Sequence, residues 1–491
     1  MSEKPQLFGT DGVRGVAGRH PLDRETVAKL GMALGVVLAS EARSRRPEVL
    51  LGRDTRESSP WIARALAAGL RASGAEVAGA GVITTPGVAF LTRHHGFAAG
   101  VMVSASHNPY QDNGIKVFSG AGAKLPEAVE IEIEGVLKNI APSSFGDKEI
   151  ETTSSLLSEY LDFLASLAPP ESQRFRLVID CANGSASSIA PEFLKRLGIE
   201  ARVLSADPDG RNINFNCGSL HPGKMAAETQ SSGADLGVAF DGDADRAIFA
   251  SRSGRVLDGD HVLYGCAPFM KQQGQLKGDA VVGTLMTNLG LELSLRERGI
   301  DLKRTAVGDK YVLEEMLRSG INLGGEPSGH IIFSEVSMAG DGFVTLLQML
   351  SLLSVTGQPA DELMRGYEPF PQLIRNVRVT GKPPLESVPE VASALARCAD
   401  DLQGRGRVVL RYSGTEPLAR VMVEGERAAA VEHHAAEIAA AIERTLGVQT
   451  QPAKYVNNPS PQSLSPETGE RVDREAGRVR GAARRPAAQP R

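Results

Sequence analysis

The chain has 491 residues, of which 42% are hydrophobic and 23% are charged. This composition excludes a wholly disordered protein and provides for about three folded domains. The 54 basic and 59 acidic residues give a net charge of −5, and the aromatic residues are only 15 Phe, 7 Tyr and 1 Trp. Such a chain has neither the basic field nor the stacking surfaces of a nucleic-acid-binding protein, so we expect no nucleic-acid partner.

The chain carries no recognisable targeting or membrane signal. Its first residues, MSEKPQLFGTDG, contain no apolar core, and the longest apolar run, residues 30–39, is far shorter than the roughly 18 residues of a membrane span. The four cysteines are far apart and form no Cys-x-x-Cys pair, which indicates reduced thiols. We therefore expect a cytoplasmic protein without a membrane partner, and most such proteins are enzymes.

The apolar spacing predicts that strands alternate with helices through most of the chain. The predicted elements are helix 25–42, strand 49–52, helix 61–73, strands 77–82 and 100–104, helix 155–168, strand 177–180, helix 185–197 and strand 236–240. A third round follows, with a strand near 280–283 and a helix near 341–353. Strands that alternate with helices indicate parallel βαβ units.

The segment 373–446 has a different pattern, which predicts a smaller α+β unit. It begins with a strand and continues with helix 387–402, strands 408–411 and 420–423, and a long helix that ends at residue 446. We place boundaries near residues 150, 254 and 369, which gives domains 1–150, 151–253, 254–368 and 369–448.

Residues 449–491 follow as a basic segment. From residue 450 onward it has seven arginines, one lysine, four acids and six prolines, with few large apolar side chains. This composition predicts a disordered tail. Its positive charge leaves binding of RNA or of an acidic partner open as an alternative to a solvated appendage.

Each predicted unit has a short apolar run that leads into a small, polar, glycine-rich loop. The four runs with their loops are VMVSASHNPYQDNG, LGVAFDGDADR, INLGGEPSGHIIF and VVLRYSGTEP. Ligands of open α/β sheets bind at the carboxyl ends of the strands. The four loops therefore predict one central cleft.

The loop DGDADR is the sharpest chemical signal. Extended backbone would point the side chains of Asp241, Asp243 and Asp245 to the same side, where three like charges require a cation. A calcium EF-hand is excluded, because its sixth position would be Arg246 instead of Gly and its twelfth would be Arg252 instead of Glu. A catalytic Mg²⁺ site fits better, and a solvated acidic turn is the alternative.

The loop after the predicted strand 100–104 offers a nucleophile. Ser106 lies in a small polar cluster at the strand end, but the chain lacks the G-x-S-x-G motif there, and its neighbour His107 need not face it. A Ser–His hydrolase pair is therefore not established. Lys116, ten residues on, would supply a cation beside the serine; a surface lysine is the alternative.

Three further loops have residues suited to phosphate or sugar. The arginine, hydroxyls and glycine of RYSGTEP, which begins at Arg411, suit a phosphate oxyanion, and the tight glycine loop FGTDGVRG carries Arg14. An ordinary turn is the alternative for both. The loop GEPSGH combines Glu326, Ser328 and His330, which can bind sugar hydroxyls and move a proton.

The ordered set of motifs resembles the α-D-phosphohexomutase superfamily, and within it the members that act on glucosamine phosphates. The motifs are LFGTDGVRG, ASHNPYQDNGIKVFS, FDGDADR, VGDKYV, GGEPSGHIIF and RYSGTEPLARVMVEG, and they span residues 5–448. The resemblance implies three mixed α/β sandwich domains and a smaller α+β C-terminal domain around a central cleft.

The activity implied by this resemblance is an isomerase-class phosphotransfer. Glucosamine 6-phosphate and glucosamine 1-phosphate would interconvert through a phosphoserine enzyme, with glucosamine 1,6-bisphosphate as priming intermediate, for amino-sugar and cell-wall precursor synthesis. The protein would bind a small-molecule sugar phosphate and one Mg²⁺ per active site, and a homodimer is possible.

The resemblance also implies roles for individual residues. Ser106 would be the phosphoserine, and its phosphate would bind Mg²⁺ together with the three aspartates of DGDADR. Lys116 and His330 match residues that assist proton transfer, and Arg14 and Arg246 match arginines near the reacting phosphate. Glu326 and Ser328 match the sugar-contacting loop. The residues that match the site of the non-reacting phosphate are Arg411, Ser413, Gly414, Thr415 and Arg420.

One residue departs from the resemblance. Pro327 stands where the glucosamine-specific members usually carry Gln, which removes an amide from the sugar loop. A mutase for mannose or glucose phosphates is therefore the nearest alternative. A phosphatase that uses the same serine, and a binding module without activity, are the other two.

Overall fold

The computed structural model describes residues 5–9, 11–41, 46–141, 146, 148–413 and 417–447. The predicted disordered tail, residues 449–491, lies outside the described residues. In the part of the chain that is described, no helix is long and apolar enough to cross a membrane.

The first sheet has the strand order β1-β2-β6-β5-β3-β4. Its strands are β1 (Phe8–Gly9), β2 (Gly12–Val16), β3 (Glu48–Arg53), β4 (Glu76–Val82), β5 (Ala99–Val103) and β6 (Asp112–Ser119). Its helices are α1 (Arg24–Glu41), α2 (Ser59–Ala72), α3 (Thr85–His95) and α4 (Glu127–Lys138). Only β5, β3 and β4 are parallel, whereas β6 returns antiparallel to β5 and β1–β2 extend that edge.

The second sheet has the order β11-β10-β9-β7-β8. Its strands are β7 (Arg176–Asp180), β8 (Glu200–Leu204), β9 (Leu236–Phe240), β10 (Ala247–Ser251) and β11 (Val256–Leu257), and its helices are α5 (Ser154–Ser166), α6 (Ala186–Leu197) and α7 (Gly223–Ser232). Strands β8, β7 and β9 are parallel, and β10 and β11 are antiparallel additions.

The third sheet has the order β13-β12-β14-β15. Its strands are β12 (Ala280–Thr284), β13 (Asp301–Thr305), β14 (Leu323–Gly325) and β15 (Ile331–Phe333), and its helices are α8 (Gly259–Gln272), α9 (Leu289–Arg296), α10 (Asp309–Ser319), α11 (Gly342–Thr356) and α12 (Ala360–Leu363). Strand β15 is antiparallel to β14. The prediction of parallel units is thus wrong for one edge of each of these three sheets, where antiparallel strands are added. The strands at the other edges, β4, β8 and β13, are parallel as predicted.

The last sheet is antiparallel, in the order β16-β18-β17, as an α+β unit requires. Its elements are β16 (Gln372–Arg378), α13 (Pro389–Leu402), β17 (Gly406–Tyr412), β18 (Leu418–Gly425) and α14 (Ala428–Leu446). The fully buried Glu424 of β18 ties this sheet to the third domain, because its Oε1 accepts a hydrogen bond from the backbone N–H of Leu289 at 3.1 Å.

The second and third sheets share one apolar core, which positions the loop after β9. Phe240, the last residue of β9, stacks on Phe343 of α11 with ring centroids 4.4 Å apart. Phe193 of α6 meets the same ring edge-on at 5.1 Å. Because Asp241 follows Phe240 directly, this aromatic cluster fixes the start of the acidic loop against the third domain.

Candidate active site

Ser106 lies in the loop that joins β5 to β6, and its backbone is in the left-handed region with φ 53°. Its side chain is fully buried, and its Oγ donates a hydrogen bond to Asp241 Oδ2 at 2.5 Å. The Nδ1 of His107 lies 3.2 Å from the same Oγ. The two neighbours therefore do face each other, and the left-handed turn aims the serine hydroxyl at the acidic loop of the second domain.

The serine loop is clamped by side chains from two domains. The buried Arg56 donates from Nη2 to the carbonyls of Ser106 and Asn108, both at 2.9 Å, while its Nε is paired with Asp54 Oδ2 at 2.8 Å. Asn214 of the second domain donates to the same Ser106 carbonyl at 2.9 Å. These contacts hold the strained turn in one conformation.

The acidic loop is a tight connection between β9 and β10, since Phe240 and Ala247 are cross-strand partners on either side of it. The prediction that extended backbone aligns the three carboxylates is wrong: the loop turns at Ala244, which has φ 55°. Gly242 makes this approach possible, because a Cβ there would lie 2.5 Å from the carbonyl oxygen of Ser106. The predicted convergence is present, but a turn produces it.

The three aspartates form a buried cluster with the chemistry of a metal site. One ligand oxygen from each of Asp241, Asp243 and Asp245 lies within 4.8 Å of the others. Burial, together with the two neighbouring carboxylates, raises the pKa of Asp241 well above its usual value. The Oδ1 atoms of Asp243 and Asp245 are buried and have no hydrogen-bond partner among the described residues. Hard oxygen donors with unsatisfied charge fit a divalent cation such as Mg²⁺.

Lys116 lies on β6 and is 1% exposed, so the alternative of a surface lysine is wrong. Its Nζ donates to Asp243 Oδ2 at 2.8 Å and to Asp245 Oδ2 at 3.0 Å, and it pairs with Asp11 Oδ2 at 3.2 Å. Burial alone would lower the pKa of Lys116, but the three carboxylates more than offset it and hold the pKa well above its usual value. This ammonium neutralises only part of the acidic cluster.

The two arginines border the same cluster. The backbone N–H of Arg246 donates to Asp241 Oδ1 at 3.2 Å, and its Nε lies 3.8 Å from Asp245 Oδ1. Arg14 donates from Nη1 to the carbonyl of Ala105 at 3.3 Å and is paired with Asp11. Both cations therefore flank the serine loop, where a phosphate would carry negative charge.

His330 joins the cluster from the third domain. Its Nδ1 lies 3.8 Å from Asp245 Oδ1 and its Nε2 lies 3.5 Å from Asp309 Oδ2. Burial alone would lower the pKa of His330, but these carboxylates outweigh burial and raise it. His107 is the opposite case, because burial and the charges of Arg246 and Arg14 lower its pKa to about 4.

The loop between β14 and β15 carries the two predicted sugar contacts. Glu326 is buried, and its Oε1 accepts the backbone N–H of Gly308 at 3.0 Å, which draws the two loops of the third domain together. The Oγ of Ser328 is buried and has no hydrogen-bond partner within the described ranges. A buried hydroxyl normally forms a hydrogen bond, so the hydroxyl of Ser328 is available as a donor and an acceptor to a bound ligand.

The predicted phosphate residues lie on the last sheet, apart from the serine cluster. Arg411 of β17 and Arg420 of β18 are cross-strand partners, and Ser413 follows β17 with its N–H bonded to the carbonyl of Leu418 at 2.8 Å. Two cations directly opposite each other repel, so the pair suits an anion. The predicted residues Gly414 and Thr415 lie outside the described residues.

Sequence reasoning missed several residues that touch the cluster. Asp11 pairs with Lys116, Thr85 Oγ1 donates to Asp243 Oδ2, and Arg56 clamps the serine loop. Asp11 lies in the quoted motif LFGTDGVRG and Asp309 lies in VGDKYV, so these two residues could have been found from the motifs. Thr85 and Arg56 belong to no quoted motif.

The models of the phosphoglucomutase/phosphomannomutase family match four successive parts of the chain. The α/β/α domains I, II and III match residues 5–143, 158–254 and 258–370, and the C-terminal domain matches residues 375–441. The boundaries placed near residues 150, 254 and 369 stay predictions.

Relatives match nearly the whole chain. The phosphoglucosamine mutase of Koribacter versatilis is 49% identical over 459 residues, covering 91% of this chain and 99% of the relative. That of Solibacter usitatus is 49% identical over 443 residues, covering 90% and 99%. A solved phosphoglucomutase/phosphomannomutase family protein from Burkholderia thailandensis has a TM-score of 0.73 at 23% identity, covering 89% of this chain and 97% of its own, which shows a common fold.

Proposed function

Because this chain belongs to the phosphoglucomutase/phosphomannomutase family, we propose that it interconverts glucosamine 6-phosphate and glucosamine 1-phosphate. The contact of Ser106 Oγ with the buried aspartate cluster carries the proposal, because it joins a nucleophile to a cation site. The near full-length relatives named phosphoglucosamine mutase support the sugar. The product would feed amino-sugar and cell-wall precursor synthesis.

In the reaction that we propose, phosphorylated Ser106 gives its phosphoryl group to the free 1- or 6-hydroxyl of the bound sugar. The bond from Ser106 Oγ to phosphorus breaks, and a bond from the sugar oxygen to phosphorus forms. The hydroxyl proton of the sugar passes to a base of the protein, and an acid of the protein gives a proton to the leaving Ser106 Oγ. The resulting glucosamine 1,6-bisphosphate turns over in the cleft and returns its other phosphate to Ser106. Alignment and charge neutralisation are the main needs of phosphoryl transfer.

Asp241, Asp243 and Asp245 would hold Mg²⁺ together with an oxygen of the phosphate on Ser106. When bound, the ion would supply charge neutralisation and Lewis-acid polarisation of the transferring group. The Oδ1 atoms of Asp243 and Asp245, which are buried without a hydrogen-bond partner among the described residues, support this assignment. Arg14, which contacts the serine loop, and Arg246, at the end of the acidic loop, would bind the remaining phosphate oxygens.

Lys116 and His330 would move the protons. They approach the aspartate cluster from different domains, and both reach Asp245, at 3.0 Å from Lys116 Nζ and 3.8 Å from His330 Nδ1. Two proton-transfer groups suit a reaction that runs in both directions on two hydroxyls.

The last sheet would hold whichever phosphate does not react. Arg411, Ser413 and Arg420, with Gly414 and Thr415, supply charge and hydroxyl donors for this purpose. A holding site that recognises only phosphate accepts the sugar in either orientation. Glu326 and Ser328 would then bind the sugar hydroxyls between the two phosphates.

The buried, unpaired state of all four cysteines supports a reducing compartment, and we place the protein in the cytoplasm. A homodimer stays a prediction. A mutase for mannose or glucose phosphates is the second candidate, because Pro327 replaces the usual amide in the sugar loop.

The test compares kcat/KM for glucosamine 6-phosphate, glucose 1-phosphate and mannose 1-phosphate, with Mg²⁺ and a trace of the matching bisphosphate. We expect a clear preference for the glucosamine substrate. A preference for the mannose or glucose substrate would keep the catalytic assignments and change only the identity of the sugar. The Pro327→Gln variant would then show whether the sugar loop determines this preference. Absence of mutase activity on all three substrates would overturn the proposal.

A further inference from the structure

Six ionisable side chains from three domains form a closed ring in which aspartates alternate with lysine or histidine. Around the ring, defined here as the charge ring, the order is Asp11, Lys124, Asp309, His330, Asp245 and Lys116. The ring contains both proposed proton-transfer groups, and it contains Lys124 and Asp309, to which the proposed function gives no role.

The two arcs between Lys116 and His330 differ in composition. The short arc passes through Asp245 alone, which is also a proposed metal ligand. The long arc passes through Asp11, Lys124 and Asp309, with Lys124 Nζ 2.5 Å from Asp11 Oδ1 and 2.7 Å from Asp309 Oδ2. The long arc therefore joins the two proton-transfer groups independently of the aspartate cluster.

Lys124 and Asp309 are where the long arc crosses from the first to the third domain. Lys124 follows β6, and Asp309 is the first residue of α10. Beside this pair the two domains leave a cavity of about 400 Å³, lined by Lys124, Asp309 and His330 and by the apolar residues Leu125, Leu313 and Ile332. Lys124 and Asp309 therefore bridge the two domains at the edge of this cavity.

We propose that Lys124 and Asp309 are positioning residues of the mutase, which hold Lys116 and His330 at a fixed separation across the reacting phosphate. The proposal rests on the proposed function for its catalytic consequence. Lys124 contacts Asp11, whose Oδ2 lies 3.2 Å from Lys116 Nζ, and Asp11 would continue to hold this ammonium if Asp243 and Asp245 bound a cation. Asp309 Oδ2 lies 3.5 Å from His330 Nε2, which is buried and has no hydrogen-bond partner among the described residues, so Asp309 is the carboxylate that faces this edge of the ring.

A neighbouring ion pair provides a matched control. Lys310 Nζ lies 3.3 Å from Glu130 Oε2, so this pair also bridges the third and first domains. Its side chains are 12% and 9% exposed, against 17% for both Lys124 and Asp309. The control pair does not touch Lys116 or His330, and Lys310→Met therefore breaks an interdomain ion pair without opening the ring.

The kinetic test compares Lys124→Met, Asp309→Asn, their double variant, Lys124→Arg and Lys310→Met in the full chain with Mg²⁺. We expect the first two to lower kcat by about 100-fold with KM unchanged, since misplacement of catalytic groups acts on the transition state. The double variant should lose no more than the worse single variant, because both changes open the same arc. Lys124→Arg should restore most of kcat, and Lys310→Met should retain it.

A second readout does not depend on activity. The imidazole resonances of His330, assigned by their loss in His330→Gln, should move in Lys124→Met and Asp309→Asn and stay in place in Lys310→Met. Unmoved resonances, or a kcat within about twofold of wild type in both ring variants, would overturn the positioning role. An equal loss of kcat in Lys310→Met would do the same. If the wild type interconverts none of the sugars, the proposed function fails, and the resonances still decide the positioning role.

Discussion

Lys116 Nζ lies 2.8 Å from Asp243 Oδ2, although 127 positions separate the two residues in the chain. Both side chains are buried, and the same ammonium also reaches Asp245. Arg246 and His330 also approach this cluster, each 3.8 Å from Asp245 Oδ1, and Asp241 keeps a raised pKa because of burial and its two acidic neighbours. The raised pKa of Asp241 and the unpaired Oδ1 atoms of Asp243 and Asp245 support the proposed cation site.

Ser106→Ala should abolish mutase activity, because the alanine has no oxygen to carry the phosphoryl group. The wild-type protein should carry one phosphate, which intact mass and peptide mapping would place on Ser106. Ser104→Ala is the control, since Ser104 Oγ only accepts the backbone N–H of Ser106 at 3.0 Å. We expect that variant to keep its phosphate and a measurable rate. Substantial turnover in Ser106→Ala would refute the nucleophile assignment.

Asp243→Asn should weaken Mg²⁺ binding by more than about 10-fold, because a direct ligand loses its charge in a buried site. Titration calorimetry measures this without any need for turnover. The control is Asp279→Asn, whose side chain is 62% exposed and pairs with Lys271 on the surface. An unchanged calorimetric titration in Asp243→Asn would count against the site.

The sequence was enough to predict the acidic loop as a cation site, but for a reason that does not hold in the fold. The strand before it was predicted exactly at its observed ends, Leu236–Phe240, because its apolar run is short and continuous. The convergence of the aspartates depends instead on the left-handed backbone of Ala244 and on the close approach of Gly242 to the serine loop. Alanine rarely adopts left-handed backbone angles, so the local sequence does not predict this turn.

Long-range contacts explain most of the remaining differences. Strand β6, which carries Lys116, was not predicted, since its polar and glycine residues do not alternate as in a half-buried strand. The clamp of Arg56 on the serine loop spans 50 residues, and spacing along the chain cannot reveal it. The family motifs supplied the candidate site residues, and the fold shows which of these residues are in contact.

Arg411→Ala should raise the KM for each sugar phosphate by about 10- to 100-fold, the range expected for loss of a charge-assisted hydrogen bond. The effect on kcat should be smaller, because the proposed role is to hold the non-reacting phosphate. Arg378→Ala is the control: Arg378 is exposed at the end of β16 in the same sheet, opposite Leu418. A KM equal to that of the control variant would remove Arg411 from the phosphate site.

The stability of the Arg411→Ala variant provides a second check. Partial burial and the nearby charge of Arg420 lower the pKa of Arg411, which means that the folded protein disfavours this cation when no anion is present. We therefore expect the variant to unfold at the same temperature as wild type or higher in phosphate-free buffer. A clear fall in Tm would indicate that Arg411 supports the fold instead of a ligand.

Asp341 gives the fold a pH dependence of its own. It begins α11, where its Oδ1 accepts the N–H groups of Phe343 and Val344 and its Oδ2 accepts the hydroxyl of Tyr160 at 2.8 Å. Burial raises the pKa of Asp341 to about 6 despite these hydrogen bonds. A carboxyl whose pKa is raised in the folded state destabilises the fold at pH values above that pKa. This destabilisation decreases as the pH falls and disappears at the pKa that the carboxyl has in the unfolded chain.

Asp341→Asn removes the charge and keeps an oxygen for the two N–H groups of α11. We expect the variant to be more stable than wild type by about 2–3 kcal/mol at pH 8, since two pKa units correspond to that free energy. The difference in stability between the variant and wild type should decrease from pH 7 to pH 4 and disappear below pH 4. Denaturant unfolding at several pH values measures this difference. A constant difference between Asp341→Asn and wild type from pH 4 to pH 8 would mean that Asp341 does not titrate in this range.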